Sequence, residues 1–143
     1  MKIKLKIKKT KSKDSKFVAK AVIIDKNKIL LLKRSEYLEK HKGEWDLPGG
    51  HIQEGEELIA GLVREVKEET NLDILQPKMV FGHKNDSFFV CHRPNGEITL
   101  SNEHIEHTFV DIKEINDLQS ITTYYRDAIL KCYEVYEQNE QFS

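Results

Sequence analysis

Glu65, Glu68 and Glu69 stand close together in this 143-residue chain, a short way beyond a Pro48-Gly49-Gly50 turn. At about 100° of rotation per helical residue, Glu68 and Glu69 lie roughly 100° apart around the axis with Glu65 between them, so all three carboxylates share one sector. Like charges that close repel one another. Hard oxygen ligands that leave room for water and a phosphate group suit Mg²⁺, with Mn²⁺ as an alternative, and such an ion would relieve the repulsion. The same segment carries an apolar arc of Leu58, Ile59, Leu62, Val63 and Val66, with Ala60 and Lys67 opposite. The acidic stripe therefore borders a buried face and belongs at the edge of a groove. Arg64 can fork its guanidinium onto carboxylates such as Glu56 or Glu65, or make a plain i, i+4 pair with Glu68. Arg34, at the end of an apolar run, is a candidate phosphate clamp.

Several elements must position these groups. Phe17–Ile24 reads as a central strand and Lys28–Lys33 as its hairpin partner, followed by a polar loop over 35–44. Residues 46–52 form a strand and turn leading into a helix over about 56–70. Strands are expected over 72–84, 87–93, 97–100 and 105–112, with a turn at Pro94-Asn95-Gly96. A last helix over about 123–138 repeats Tyr125, Ile129, Cys132, Tyr133 and Tyr136 at helical spacing, the pattern of a core face. Strands around one helix, closed by a second, imply an α/β class with a mixed β-sheet sandwiched between helices, in one domain over 1–143. At the N-terminus, Lys2, Lys4, Lys6 and Lys8 alternate with Ile3, Leu5 and Ile7. That period of two predicts a lysine-lined edge strand and turn within residues 1–15.

Gly50, Glu56, Arg64, Glu65, Val66, Glu68, Glu69, Asn71 and Leu72 resemble, position by position, the G-x5-E-x7-R-E-U-x-E-E-x-G-U signature of the Nudix hydrolases, where U is aliphatic. Asn71 alone departs from it, standing where the family has a helix-ending glycine, and Asn tolerates the left-handed conformation next best. The lead-in Trp45-Asp46-Leu47-Pro48-Gly49-Gly50 is similar to the family's as well. The resemblance implies the Nudix fold and a metal set drawn from the Gly49 carbonyl, Glu65, Glu68 and Glu69. In it Glu65 either binds metal or activates water, Arg64 orients its neighbours, and Gly50 and Glu56 are structural. A second segment, Ser101–Val110, resembles the family's S-x-E-H-x-E-x-x-W/F-V, which implies that Glu103 is an added metal ligand or the catalytic base on a mobile loop. His104 and His107 suggest a transition-metal pair, but their i, i+3 spacing off a helix argues against it.

The expected reaction is hydrolysis of a nucleoside diphosphate linked to a group X. A MutT-like enzyme cleaving nucleoside triphosphates to monophosphate and pyrophosphate is the leading form. The proline and tyrosine that mark ADP-ribose and dinucleoside-polyphosphate enzymes beyond the box are missing, since Ser87-Phe88-Phe89 stands there. Alternatives are hydrolysis of capped RNA ends or dinucleoside polyphosphates, and a silent nucleotide- or RNA-binding module. The first 20 residues carry nine lysines against Asp14, which would suit RNA. Retention of every box carboxylate argues for catalysis. The partner is thus a small nucleotide before it is RNA, and monomer and homodimer stay open. No run approaches the roughly 20 apolar residues of a spanning helix and no secretory segment is evident, so no membrane is implied and a cytoplasmic location is expected. Cys91 and Cys132 have no zinc-like spacing and are expected as buried or unpaired thiols.

Overall fold

The computed structural model of the chain describes residues 13–142, so the lysine-alternating strand expected at the N-terminus lies outside the described residues. Strand β1 (Asp14–Asp25) occupies the middle of a mixed sheet. It pairs antiparallel with β2 (Lys28–Arg34) and with β4 (Gly49–Gln53), and parallel with β6 (Asp86–His92). The short β3 (Trp45–Asp46) and the long β7 (His104–Asp111) both pair antiparallel with β2, and β5 (Lys78–His83) forms the far edge beside β6.

Alternation along β1 explains the layering. Ala19, Ala21 and Ile23 face α1 (Leu58–Thr70) and pack with its Leu62 and Val66. Val22 and Ile24 face the opposite side, where Ala128, Ile129 and Cys132 of α2 (Thr123–Phe142) cover them. A strand buried on both faces reads as a nearly continuous apolar run, and 17–24 is one. Helices on both faces of a mixed sheet are the expected α/β sandwich.

Helix α1 is shaped by its ends. The Glu57 carboxylate accepts hydrogen bonds from the amides of Ile59 and Ala60, capping the first turn. Asn71 ends the helix at φ 69°, its N–H bonded to the Lys67 carbonyl, which is the left-handed position expected for it. Asn71→Gly should therefore leave stability unchanged or raise it by a few tenths of a kcal/mol, while Asn71→Val should lower it by about 1 kcal/mol or more. Urea unfolding of the two variants checks this.

Three expectations change. Ile59 is 39% exposed and so falls outside the buried arc, while Leu58 in the same first turn packs against the core. The strand expected over 72–84 begins only at Lys78, since Leu72 and Ile74 use irregular backbone to bury their side chains in the core beside α1. Residues 97–100 form no strand. Instead the Thr99 and Ser101 amides donate to the carbonyls of Thr70 and Glu69 at 3.0 and 3.2 Å, satisfying the open end of α1. That attachment brings the following turn over the acidic helix.

Candidate active site

Two glycines let the turn after β3 approach the helix. Gly49 sits at φ 131°, and a Cβ there would collide with the Ala19 carbonyl. A Cβ on Gly50 would come 2.5 Å from the Glu65 carboxylate. With neither present, the Gly49 amide donates to Glu69 at 3.0 Å, tying turn to helix through one of the acids.

Arg64 takes the role of organiser. Its Nε and one terminal nitrogen grip both oxygens of Glu56, at 2.7 and 3.0 Å, and its other terminal nitrogen donates to Glu65 and to Glu68. Glu56 in turn accepts the Gln53 amide at 2.9 Å, which fixes the loop that enters α1. Of the three helix acids, Glu69 is 5% exposed, Glu65 half-buried and Glu68 exposed.

A cavity of about 400 Å³ opens here. Glu65, Glu69 and Glu103 line it with Gly49 and Gly50, and so do Lys20, Arg34, Lys40 and His41. Glu68 stands outside this lining, in its i, i+4 pair with Arg64. Glu103 is not on a free loop, since its carbonyl accepts the Ser35 amide at 2.9 Å and its amide reaches the Ser101 hydroxyl. Its carboxylate, that of Glu69 and a ring nitrogen of His104 lie within 4.8 Å of one another. Such a donor set can hold a divalent cation. A larger cavity of about 450 Å³, at the other end of β1 around Asp25, His92 and Arg93, carries none of these acids.

Burial, together with the neighbouring Glu68 and Glu103 charges and against the pull of Arg64, pushes the Glu65 carboxyl up to about 7. Burial likewise raises Glu69, opposed by Lys20. The consequence for stability has a definite sign. In metal-free protein the unfolded chain releases the Glu65 proton near pH 4.3 and the folded chain near 7, so between these values the folded state binds more protons and loses stability as pH rises. The urea midpoint in chelator should fall between about pH 5 and 8, and Glu65→Gln should remove much of that fall. A flat wild-type profile would contradict the burial of Glu65.

Sequence reasoning missed the charged group beneath the cavity. Lys20 is 6% exposed, and its ammonium donates to Asp46 Oδ1 and to the Leu47 and Gly49 carbonyls at 3.1, 3.1 and 3.2 Å. Asp46 also receives Arg34 at 3.2 Å and His104 Nε2 at 2.9 Å. Burial works against both charges, but Lys20 and His104 outweigh it at Asp46, and Asp46 with Tyr125 and Glu69 outweighs it at Lys20, so each ionised form is favoured. One signal was available, namely a lysine between Ala19 and Ala21 in an otherwise apolar central strand. Arg34, read as a phosphate clamp, is thus partly committed to Asp46 while still lining the cavity.

The NUDIX domain model matches residues 15–131. The chain belongs to the NUDIX family. This NUDIX chain is 32% identical over 123 residues to an ADP-ribose pyrophosphatase of Methanocaldococcus jannaschii, a match covering 78% of this chain and 69% of that one. It is 38% identical over 81 residues to Nudix hydrolase 5 of Arabidopsis thaliana, covering 50% of this chain and 27% of the plant protein. The chain spans about a quarter of the length of the plant relatives it matches. Among solved structures, a MutT protein from Methanosarcina mazei Go1 superposes with a TM-score of 0.67 at 30% identity, over 84% of this NUDIX chain and 94% of that one. Among the described residues no helix is long and apolar enough to cross a membrane. Cys91 and Cys132 are buried and unpaired.

Proposed function

We propose that the chain is a divalent-metal-dependent pyrophosphohydrolase acting on a nucleoside diphosphate linked to X, with a nucleoside triphosphate as the favoured substrate. The observation that carries this reading is one cavity of about 400 Å³ whose lining brings Glu65, Glu69 and Glu103 together with Arg34 and Lys40. Glu69 and Glu103 would hold the metal, while the Gly49 carbonyl is engaged by the Lys20 ammonium at 3.2 Å. When bound, Mg²⁺ or Mn²⁺ supplies charge neutralisation to the diphosphate.

The protein's own groups supply the rest. Arg64 holds Glu65 by its Oε2 only, leaving the other oxygen toward Gly50 and the cavity. A carboxylate with proton affinity near neutrality suits general-base work, so Glu65 takes a proton from water as the water oxygen bonds to phosphorus. The bridging P–O bond breaks on the opposite side, and its electron pair leaves with the second phosphorylated product. Arg34, Lys40 and His41 meet the negative charge of that product. A leaving group with its own phosphates gains most from them, which favours pyrophosphate.

A second reading, ADP-ribose as substrate, draws on the Methanocaldococcus relative. A screen of nucleoside triphosphates, ADP-ribose, nucleotide sugars, dinucleoside polyphosphates and capped RNA, read by ³¹P NMR with Mg²⁺ or Mn²⁺, separates the two. Nucleoside monophosphate plus pyrophosphate is the expected outcome. Ribose 5-phosphate plus AMP as the dominant products would transfer the reading to ADP-ribose, and inertness toward every substrate would end it. In the same assay Glu103→Gln should lower kcat by about 10-fold or more with little change in KM. Both parameters within about twofold of wild type would remove Glu103 from the site.

A further inference from the structure

His104 and His107 look alike in the sequence, but their burial separates them. His107 pairs with Leu32 and is exposed, whereas His104, paired with Arg34 beyond a register shift, is 4% exposed. Its Nε2 lies 2.9 Å from Asp46 Oδ2. Asp46 also receives Lys20 and Arg34. An ionised carboxylate can only accept, so the proton of this contact sits on Nε2.

Nδ1 is then the ring's remaining lone pair in the neutral imidazole. It is enclosed and has no hydrogen-bond partner among the described residues. Leaving such an atom unsatisfied is costly and uncommon. Yet the ring is one of three groups, with Glu69 and Glu103, whose donor atoms lie within 4.8 Å of one another. Around an octahedral ion with bonds of about 2.1 Å, ligand atoms are about 3 Å apart when adjacent and about 4.2 Å when opposed, so at least two of the three separations must come to about 3 Å as the set closes. Metal-ligating histidines characteristically give their other ring N–H to a carboxylate, which is the arrangement Asp46 makes with Nε2.

We infer that His104 is a nitrogen ligand of the cation site, giving it a Glu-Glu-His set that favours a first-row transition metal over Mg²⁺. Imidazole is a softer donor than carboxylate and adds little for Mg²⁺, but strengthens binding of Mn²⁺, Fe²⁺ or Co²⁺. The inference rests on the reading of Glu69 and Glu103 as metal ligands. It adds that the metal, and not only the nucleotide, is selected.

Mn²⁺ alone, without nucleotide, tests it by pulsed electron paramagnetic resonance on the whole chain. Wild-type protein should show ¹⁴N coupling from a directly bound imidazole. His104→Gln, whose amide can still donate to Asp46, should lose that coupling, bind Mn²⁺ about 10-fold or more weakly and bind Mg²⁺ within about threefold of wild type. Bound Mn²⁺ with oxygen coupling only in the wild type overturns the inference, whatever the variant does. Persisting triphosphate hydrolysis in that case would leave the hydrolase reading standing. Mn²⁺ binding by Glu69→Gln equal to wild type would overturn both.

Discussion

Glu69→Gln should lower turnover by at least about 10²-fold while the fold stays intact, measured as kcat with saturating Mg²⁺ or Mn²⁺ beside far-UV circular dichroism and a urea midpoint. The amide oxygen of Gln can still accept the Gly49 N–H that now reaches Glu69 at 3.0 Å, so the turn keeps its anchor and only the charge is removed. Burial already disfavours that charge, and the substitution should leave the metal-free protein no less stable than wild type. Glu68→Gln is the informative comparison. Glu68 stands outside the cavity lining and pairs with Arg64, so a loss as large as that at Glu69 would make it a metal ligand, and a small loss would make it a support for Arg64. Activity of Glu69→Gln within tenfold of wild type would dismantle the metal site as drawn here.

Lys20→Met should cost about 3 kcal/mol of stability, seen as a lower urea midpoint at unchanged m-value. Methionine matches the stem of lysine, so packing against the neighbouring strands is kept and the loss isolates the ammonium. That ammonium is the shared donor to Asp46, Leu47 and Gly49. Without it Asp46 stays buried with only Arg34, His104 and its own chain's Leu47 amide as donors. Adding Asp46→Asn should recover part of the loss, because breaking a buried pair from one side is worse than removing both charges. A change below about 0.5 kcal/mol in Lys20→Met would mean that water reaches the pair.

The box helix was legible because its cues are local. The apolar positions Leu62 and Val66 and the helix-ending Asn71 act within α1 and occupy their expected places, whereas Glu68, expected beside Glu65 and Glu69, pairs with Arg64 outside the cavity those two line. The Arg64 fork onto Glu56 was legible for the same reason. What escaped was whatever depends on partners far along the chain. Residues 97–100 look like a strand by composition, yet the amides of Thr99 and of Ser101 just beyond go to the end of α1, which no local pattern reveals. His104 and His107 cannot be told apart until the burial of each in the fold is known. Asp46 reads as part of a family lead-in, and only tertiary structure makes it the meeting point of Lys20, Arg34 and His104.

The β2–β7 ladder, which sets Leu30 opposite Phe109 and Arg34 opposite His104, also governs when the site can exist. Everything from the polar loop to β6 lies in the chain between those partners, so the ladder closes a long loop and must meet most of the ordering entropy before its own contacts repay it. A chain folded only through α1 carries every acid of the box but neither Glu103 nor His104. Assembly of the complete donor set is therefore a late event in folding, and the time course of metal binding during refolding should follow formation of this ladder more closely than the gain of helix.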